Sequence, residues 1–147
     1  ESLDLSGGTF ETVPPEVWKL PLRSLRLRGC GLTEIPDGLG DLAQLEKLDL
    51  SAIDSLSRLP PAMSRLPKLR TLHMHSLRGV HELPPLEHLE ELHMSYSAIT
   101  DPVASLRACP SLKDLHISIA RYSTPGFTNE QLDSVRAALP QLRIKVQ

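Results

Sequence analysis

The stretch that decides the fold runs from Leu22 to Lys68: LRSLRLRGCGLTEIPDGLGDLAQ at 22–44, then LEKLDLSAIDSLSRLPPAMSRLPK at 45–68. Laid over each other, the two segments register from the first leucine to the last. Both open on L-x-x-L-x-L, pass an apolar residue to reach an I-P or L-P pair, and close on an apolar pair before the next leucine. Further copies begin at Leu69 (LRTLHMHSLRGVHELPPLEH), Leu89 (LEELHMSYSAITDPVASLRACPS) and Leu112 (LKDLHISIARYSTPGFTNEQLDSVRAALPQ), and Ser2-Leu3-Asp4-Leu5 opens a clipped earlier one. Starts near 1, 22, 45, 69, 89 and 112 give a period of roughly 23 residues, in the range that signals a solenoid.

In L-x-x-L-x-L the last three positions alternate inward, outward, inward, which is a short strand of period two. One copy cannot bury its leucines alone, so copies stack, the strands form a parallel sheet and the leucines fill the space behind it. The proline of each turn lacks an N–H and fixes its own φ, which predicts an irregular or short helical outer wall rather than a second long strand. The 28 leucines and 13 prolines among 147 residues are therefore periodic. The expected fold is an α/β solenoid: one domain over 1–147, an arc with a parallel sheet on its concave face and a short helical or irregular convex wall.

The pattern resembles the leucine-rich repeat family over essentially the whole chain. Its Val13-Pro14, Ile35-Pro36, Leu59-Pro60 and Leu83-Pro84 turns are similar to intracellular plant-type repeats and to the repeat domains of bacterial effectors injected into host cells. The turn position that the family often fills with asparagine holds Gly8, Cys30, Ile53, Leu77, Ser97 and Ala120, so other backbone bonds, or cysteine and serine, must close those turns. The resemblance implies a protein-binding module. It also implies a narrower role, the substrate-recognition part of a larger protein such as an effector or a ubiquitin ligase.

The two ends read differently. Glu1 falls inside a repeat with no polar cap before it, which reads as a cut from a longer chain or a disordered upstream cap. Toward the other end, Thr128 and Gln131 have capping-box spacing, with Phe127 and Leu132 placed as a hydrophobic staple. A helix is expected over about 129–138, with Leu132, Val135 and Leu139 inward and Pro140 ending it, followed by an edge strand over about 142–146. Lys and Arg on that strand discourage further pairing, so it reads as a true end.

Charge and composition exclude several classes. Sixteen Lys and Arg against eighteen Asp and Glu give a formal charge of −2, with no whole-chain field to draw nucleic acid or an anionic membrane. No apolar run approaches the roughly 20 residues of a membrane span. Cys30 and Cys109 fall in interior slots about 15 Å apart by strand spacing, too far for a disulfide, and free thiols fit a reducing compartment. The single asparagine, Asn129, lacks a glycosylation context. A cytoplasmic location is expected, in a host cell if the chain is delivered, with the protein a monomer.

Outward strand positions line up in columns about 4.8 Å per step, the default binding surface of a solenoid. The first column reads Asp4, Arg26, Asp49, His73, His93, His116; the next reads Ser6, Arg28, Ser51, His75, Ser95, Ser118; a third reads Gly7, Gly29, Ala52, Ser76, Tyr96, Ile119. One face thus carries an arginine end and a histidine end. Arg26, Arg28, Asp49, His73, His75, His93, Tyr96 and His116 are the expected partner contacts, since aromatics and arginines dominate hot spots. Arg23, Arg26, Arg28 and Arg70 have the chemistry to bind a phosphate or acidic side chains, although Asp4, Asp49 and Glu46 balance them.

Four of the six histidines share this face, and imidazoles on adjacent strands can converge on zinc. The column, however, is a straight line rather than a tetrahedral cage, so no metal or other cofactor is expected. Stacked imidazoles oppose one another's protonation, which makes pH-sensitive binding a further expectation. No nucleophile-elbow, P-loop or zincin spacing occurs, and no enzyme is expected. Two other readings stand beside the binding module: a metal-binding or hydrolytic site on the histidine column, and a spacer between neighbouring domains.

Overall fold

A computed structural model describes residues 1–95, 99–118 and 127–147. Seven strands form one sheet in sequence order, every neighbouring pair parallel. They are β1 (Ser2–Asp4), β2 (Ser24–Arg26), β3 (Lys47–Asp49), β4 (Thr71–Met74), β5 (Glu91–Met94), β6 (Asp114–Ile117) and β7 (Arg143–Val146). The α/β solenoid read from the repeats is the observed architecture, the sheet on one face and a wall of short helices on the other.

The leucine pattern sets the register. Leu3, Leu25, Leu48, Leu72, Leu92, Leu115 and Ile144 are successive partners across the sheet. All between Leu25 and Leu115 are buried. Leu3 and Ile144, on the two edge strands, are partly buried against the same core. The core is one continuous cluster from Val13 to Leu142, the outcome expected when each repeat hides its apolar face only against its neighbours.

The prolines shape the wall. Pro14, Pro36 and Pro60, at φ −54, −60 and −67, precede 3-10 helices at Pro15–Lys19, Asp37–Asp41 and Pro61–Arg65. These helices bury Val17 and Trp18, Leu39, and Ala62 and Met63. At Gly38 the wall packs so closely that a Cβ would lie 2.4 Å from the Trp18 ring, so only glycine lets the second repeat seat against the first.

Two α-helices follow in the later repeats. Helix α1 (Pro102–Arg107) starts where Asp101 Oδ1 accepts from Ala104 N at 2.9 Å. Helix α2 (Asn129–Ala138) starts on a reciprocal cap: Thr128 Oγ1 accepts from Gln131 N at 3.1 Å, and Gln131 Oε1 accepts from Thr128 N at 2.9 Å. Leu132 and Val135 are buried, whereas Leu139, expected inward, is half-buried at the helix end.

The third column read from the sequence is a turn rather than a contact column. Gly7, Gly29, Ala52 and Ser76 all take left-handed backbone, at φ 72, 66, 57 and 58. Their position turns the chain from sheet to wall while the parallel ladder continues: Gly7 N donates to Arg28 O at 2.7 Å, Gly29 N to Ser51 O at 2.9 Å, Ala52 N to His75 O at 2.8 Å. Tyr96 and Ile119, assigned to the same column, lie outside the described residues, as does Tyr122.

Candidate functional site

The open face of the sheet carries an unbroken register row: Asp4, Arg26, Asp49, His73, His93, His116 and Lys145 are successive partners from β1 to β7. Lys145 extends the row beyond the residues singled out from the sequence. Its place followed from the alternation of Arg143-Ile144-Lys145-Val146 once that segment was read as a strand.

At the first end of the row and along its flank the charges pair among themselves. Arg26 lies 3.5 Å from Asp4, and Arg23 lies 3.6 Å from Glu46. Arg70 pairs with Glu90, which also holds Lys113 at 2.7 Å. The hydrogen bond from Lys113, with the charges of Lys113 and Arg70, holds the Glu90 carboxyl below its usual range. Of the four arginines read as a cationic group, Arg28 alone forms no ion pair among the described residues, and it is exposed. Asp49 is half-buried, and its Oδ1 accepts from Ser51 N at 2.9 Å.

The second column divides in two. Arg28 and His75 present side chains, but Ser51 is only 2% exposed. Its Oγ accepts from His75 N at 3.1 Å, and Ser95 Oγ accepts from Ser76 N at 3.0 Å. With Cys30 Sγ donating to Leu5 O at 3.1 Å, these groups bridge consecutive repeats through side chains, work that buried backbone at a turn requires.

The histidine end is the most organised part of the face. His73 and His93 stack at a centroid distance of 4.2 Å and 9° between planes, and His93 and His116 at 4.3 Å and 11°. His75 lies across them, its ring 6.2 Å from His73 at 54° and 6.3 Å from His93 at 64°. Glu91 Oε1 sits 2.9 Å from His93 Nε2 and 3.3 Å from His116 Nε2. The latter contact is not aligned as a hydrogen bond, which leaves the buried His116 Nε2 without a partner among the described residues.

Burial, and then the neighbouring His93, push His73 and His75 below the ordinary imidazole value; Asp49 opposes this at both. His116 is lowered by burial, then by His93 and Lys145, against Glu91 and Asp114. Neutral imidazoles are thus favoured at neutral pH, each with one lone-pair nitrogen. Among the described residues, two groups bring three ligating atoms within 4.8 Å of one another: His73, His75 and His93, and Glu91, His93 and His116.

The structure therefore collects His73, His75, His93 and His116 into one cluster, with Asp49 and Arg28 beside it and Arg26 farther along the row. Cys30 and Cys109 are buried free thiols away from this face, and burial pushes the Cys109 thiol up to about 11. No helix of the described residues is long and apolar enough to cross a membrane.

The chain is similar in sequence and fold to known proteins. A family model described as leucine-rich repeat region matches residues 2–144. The disease resistance protein RML1A of Arabidopsis thaliana is 32% identical over 113 residues, covering 76% of this chain but only 10% of that much longer protein. The solved structure of the Leptospira interrogans LRR protein LIC12759 superposes with a TM-score of 0.73 at 22% identity, over 98% of this chain and 36% of that one.

Proposed function

Because the chain belongs to the leucine-rich repeat family, we propose that it is a protein-binding module that receives a macromolecular partner on the open face of its sheet, with no catalytic role of its own. The observation that carries this reading is the register row from Asp4 to Lys145, a line of polar side chains held by buried leucines and running from paired charges to clustered imidazoles. A face so fixed is preorganised, which lowers the ordering cost of association. Arg26, Arg28, Asp49, His73, His75, His93, Tyr96 and His116 are the contacts of this proposal, and the protein acts as a monomer toward a protein rather than a nucleic acid or a membrane.

In its narrower form the proposal makes the chain the substrate-recognition part of a larger protein, such as an effector or ubiquitin ligase acting in the cytoplasm of a cell it enters. The L-P and I-P turns and the unpaired thiols of Cys30 and Cys109 support that form. The likeness to one stretch of a plant disease resistance protein supports recognition within a longer chain equally well.

The double substitution Arg26→Glu with His93→Glu tests the proposal. It reverses the charge at Arg26 and introduces a negative charge at His93 without touching the buried leucines. Partners recovered with the parent protein and identified by mass spectrometry are expected to be lost from the variant. An unchanged set of partners would sink the binding reading and leave the spacer.

A further inference from the structure

We propose that His73, His75 and His93 form a site for one borderline divalent transition-metal ion, zinc in the first instance, on the open face of the sheet. This site stands independently of any protein partner. The three ring nitrogens lie within 4.8 Å of one another. A tetrahedral ion with bonds of about 2.0–2.1 Å holds its nitrogens roughly 3.4 Å apart, so closing the set takes shifts on the order of 1 Å.

The backbone builds the set. His73 and His93 are direct register partners on β4 and β5, and His75 follows His73 by two residues onto the same face. A count of one residue per strand gives a straight line, and a line holds no ion well. His75 leaves that line, and its ring is inclined at 54° to His73 and 64° to His93.

Ring planes decide between the two candidate groups. An imidazole lone pair lies in the plane of its ring, so parallel stacked rings cannot point at one ion. His93 and His116 are 11° from parallel and His73 and His93 are 9°, so either group needs one ring turned out of the stack; only the group with His75 already holds a ring inclined to the others. The plane of His75 crosses those of both His73 and His93, and one turn about the soft Cβ–Cγ torsion of His73 brings in the third nitrogen.

Glu91 is then a positioning residue. Its Oε1 lies 2.9 Å from His93 Nε2, where a carboxylate favours the tautomer protonated at that nitrogen and leaves Nδ1 as the lone-pair donor. A carboxylate behind a ligating histidine fixes its tautomer and raises its basicity. Three nitrogen ligands suit zinc, copper or nickel and not magnesium or calcium, which take oxygen, and they leave one coordination position open to water.

The test is calorimetric titration of zinc chloride into the full chain, free of any affinity tag and stripped of metal, at pH 7.5. One ion per chain is expected. His75→Ala and His93→Ala should each weaken binding at least tenfold, Glu91→Gln by about tenfold, and His116→Ala by less than about threefold. Cobalt(II) loading should give visible absorption bands in the parent that His75→Ala loses. Circular dichroism checks the fold of each variant, and His75→Gln, which keeps a polar side chain at a half-buried position, serves if His75→Ala is unstable. Absence of binding heat, unchanged affinity in both His75 and His93 variants, or loss in His116→Ala with retention in His75→Ala would overturn the site.

Discussion

The rings of His73 and His93 stack face to face, 4.2 Å between centroids, because the two residues are direct partners on adjacent parallel strands. Two protonated imidazoles held so closely repel, and burial adds to the cost of charging His73. His73, His75 and His116 all have folded values below the ordinary 6.5. The unfolded chain therefore takes up these protons first, and protonation favours unfolding. Stability should be intact above the unfolded value, fall as pH drops through it, and level off below the folded values. The urea midpoint of metal-free protein at pH 5 should lie below that at pH 7.5, and the difference should shrink when His73, His75 and His116 are all replaced by asparagine. Asp4, Glu90 and Asp114, whose carboxyls are depressed from 3.8, 4.5 and 3.8, lose their contribution only at more acid pH. Equal midpoints at the two pH values would contradict the histidine account.

Ala52 and Ser76 hold the left-handed turn that Gly7 and Gly29 fill in the first two repeats. A side chain there costs about 1–2 kcal/mol, and glycine gives back part of the difference through its unfolded-state entropy. Ala52→Gly and Ser76→Gly are each expected to raise stability by up to about 1 kcal/mol in urea denaturation. Destabilisation by both would mean that packing of the methyl and hydroxymethyl groups outweighs the backbone.

Leu48 is fully buried in the middle of the register row of leucines. Leu48→Ala should cost about 2–5 kcal/mol, the range for a truncated core leucine. Because neighbouring repeats support one another, the loss should appear in a single unfolding transition read equally by near- and far-ultraviolet circular dichroism.

Removing the cap of α2 tests local rather than global stability. Thr128→Ala deletes the acceptor for Gln131 N and should cost about 1 kcal/mol. Hydrogen exchange at the first amides of α2 should accelerate, with little change in the strands β2 to β4.

Burial holds both thiols in the unreactive form, with Cys109 raised to about 11. A disulfide reagent at pH 8 should label neither Cys30 nor Cys109 in the native protein and both in urea. Rapid native labelling would show that the wall opens.

The sheet was legible because its register is a consequence of one repeated spacing. Once Leu25, Leu48, Leu72, Leu92 and Leu115 are aligned, alternation alone places Arg26, Asp49, His73, His93 and His116 in one row. The turns were half legible. Glycine announces left-handed backbone at Gly7 and Gly29, but Ala52 and Ser76 adopt it under the pull of their neighbours, and no residue type signals that. For the same reason Ser51 was read as outward, although the turn folds it under the chain to cap His75 N. The histidine cluster was legible as a row and not as a group. Its geometry depends on how the His75 ring lies across the stack, a torsion with shallow preferences that sequence does not encode.

The strand order β1 to β7, each strand pairing only with its neighbours in sequence, has a mechanical side. Tension applied between the first and last strands acts across the ladder, so it loads the hydrogen bonds of one strand pair at a time rather than shearing all of them together. Such a stack yields by peeling repeat from repeat, and each released repeat adds a short length of chain. Under load the molecule would behave as an extensible tether, lengthening in steps of one repeat.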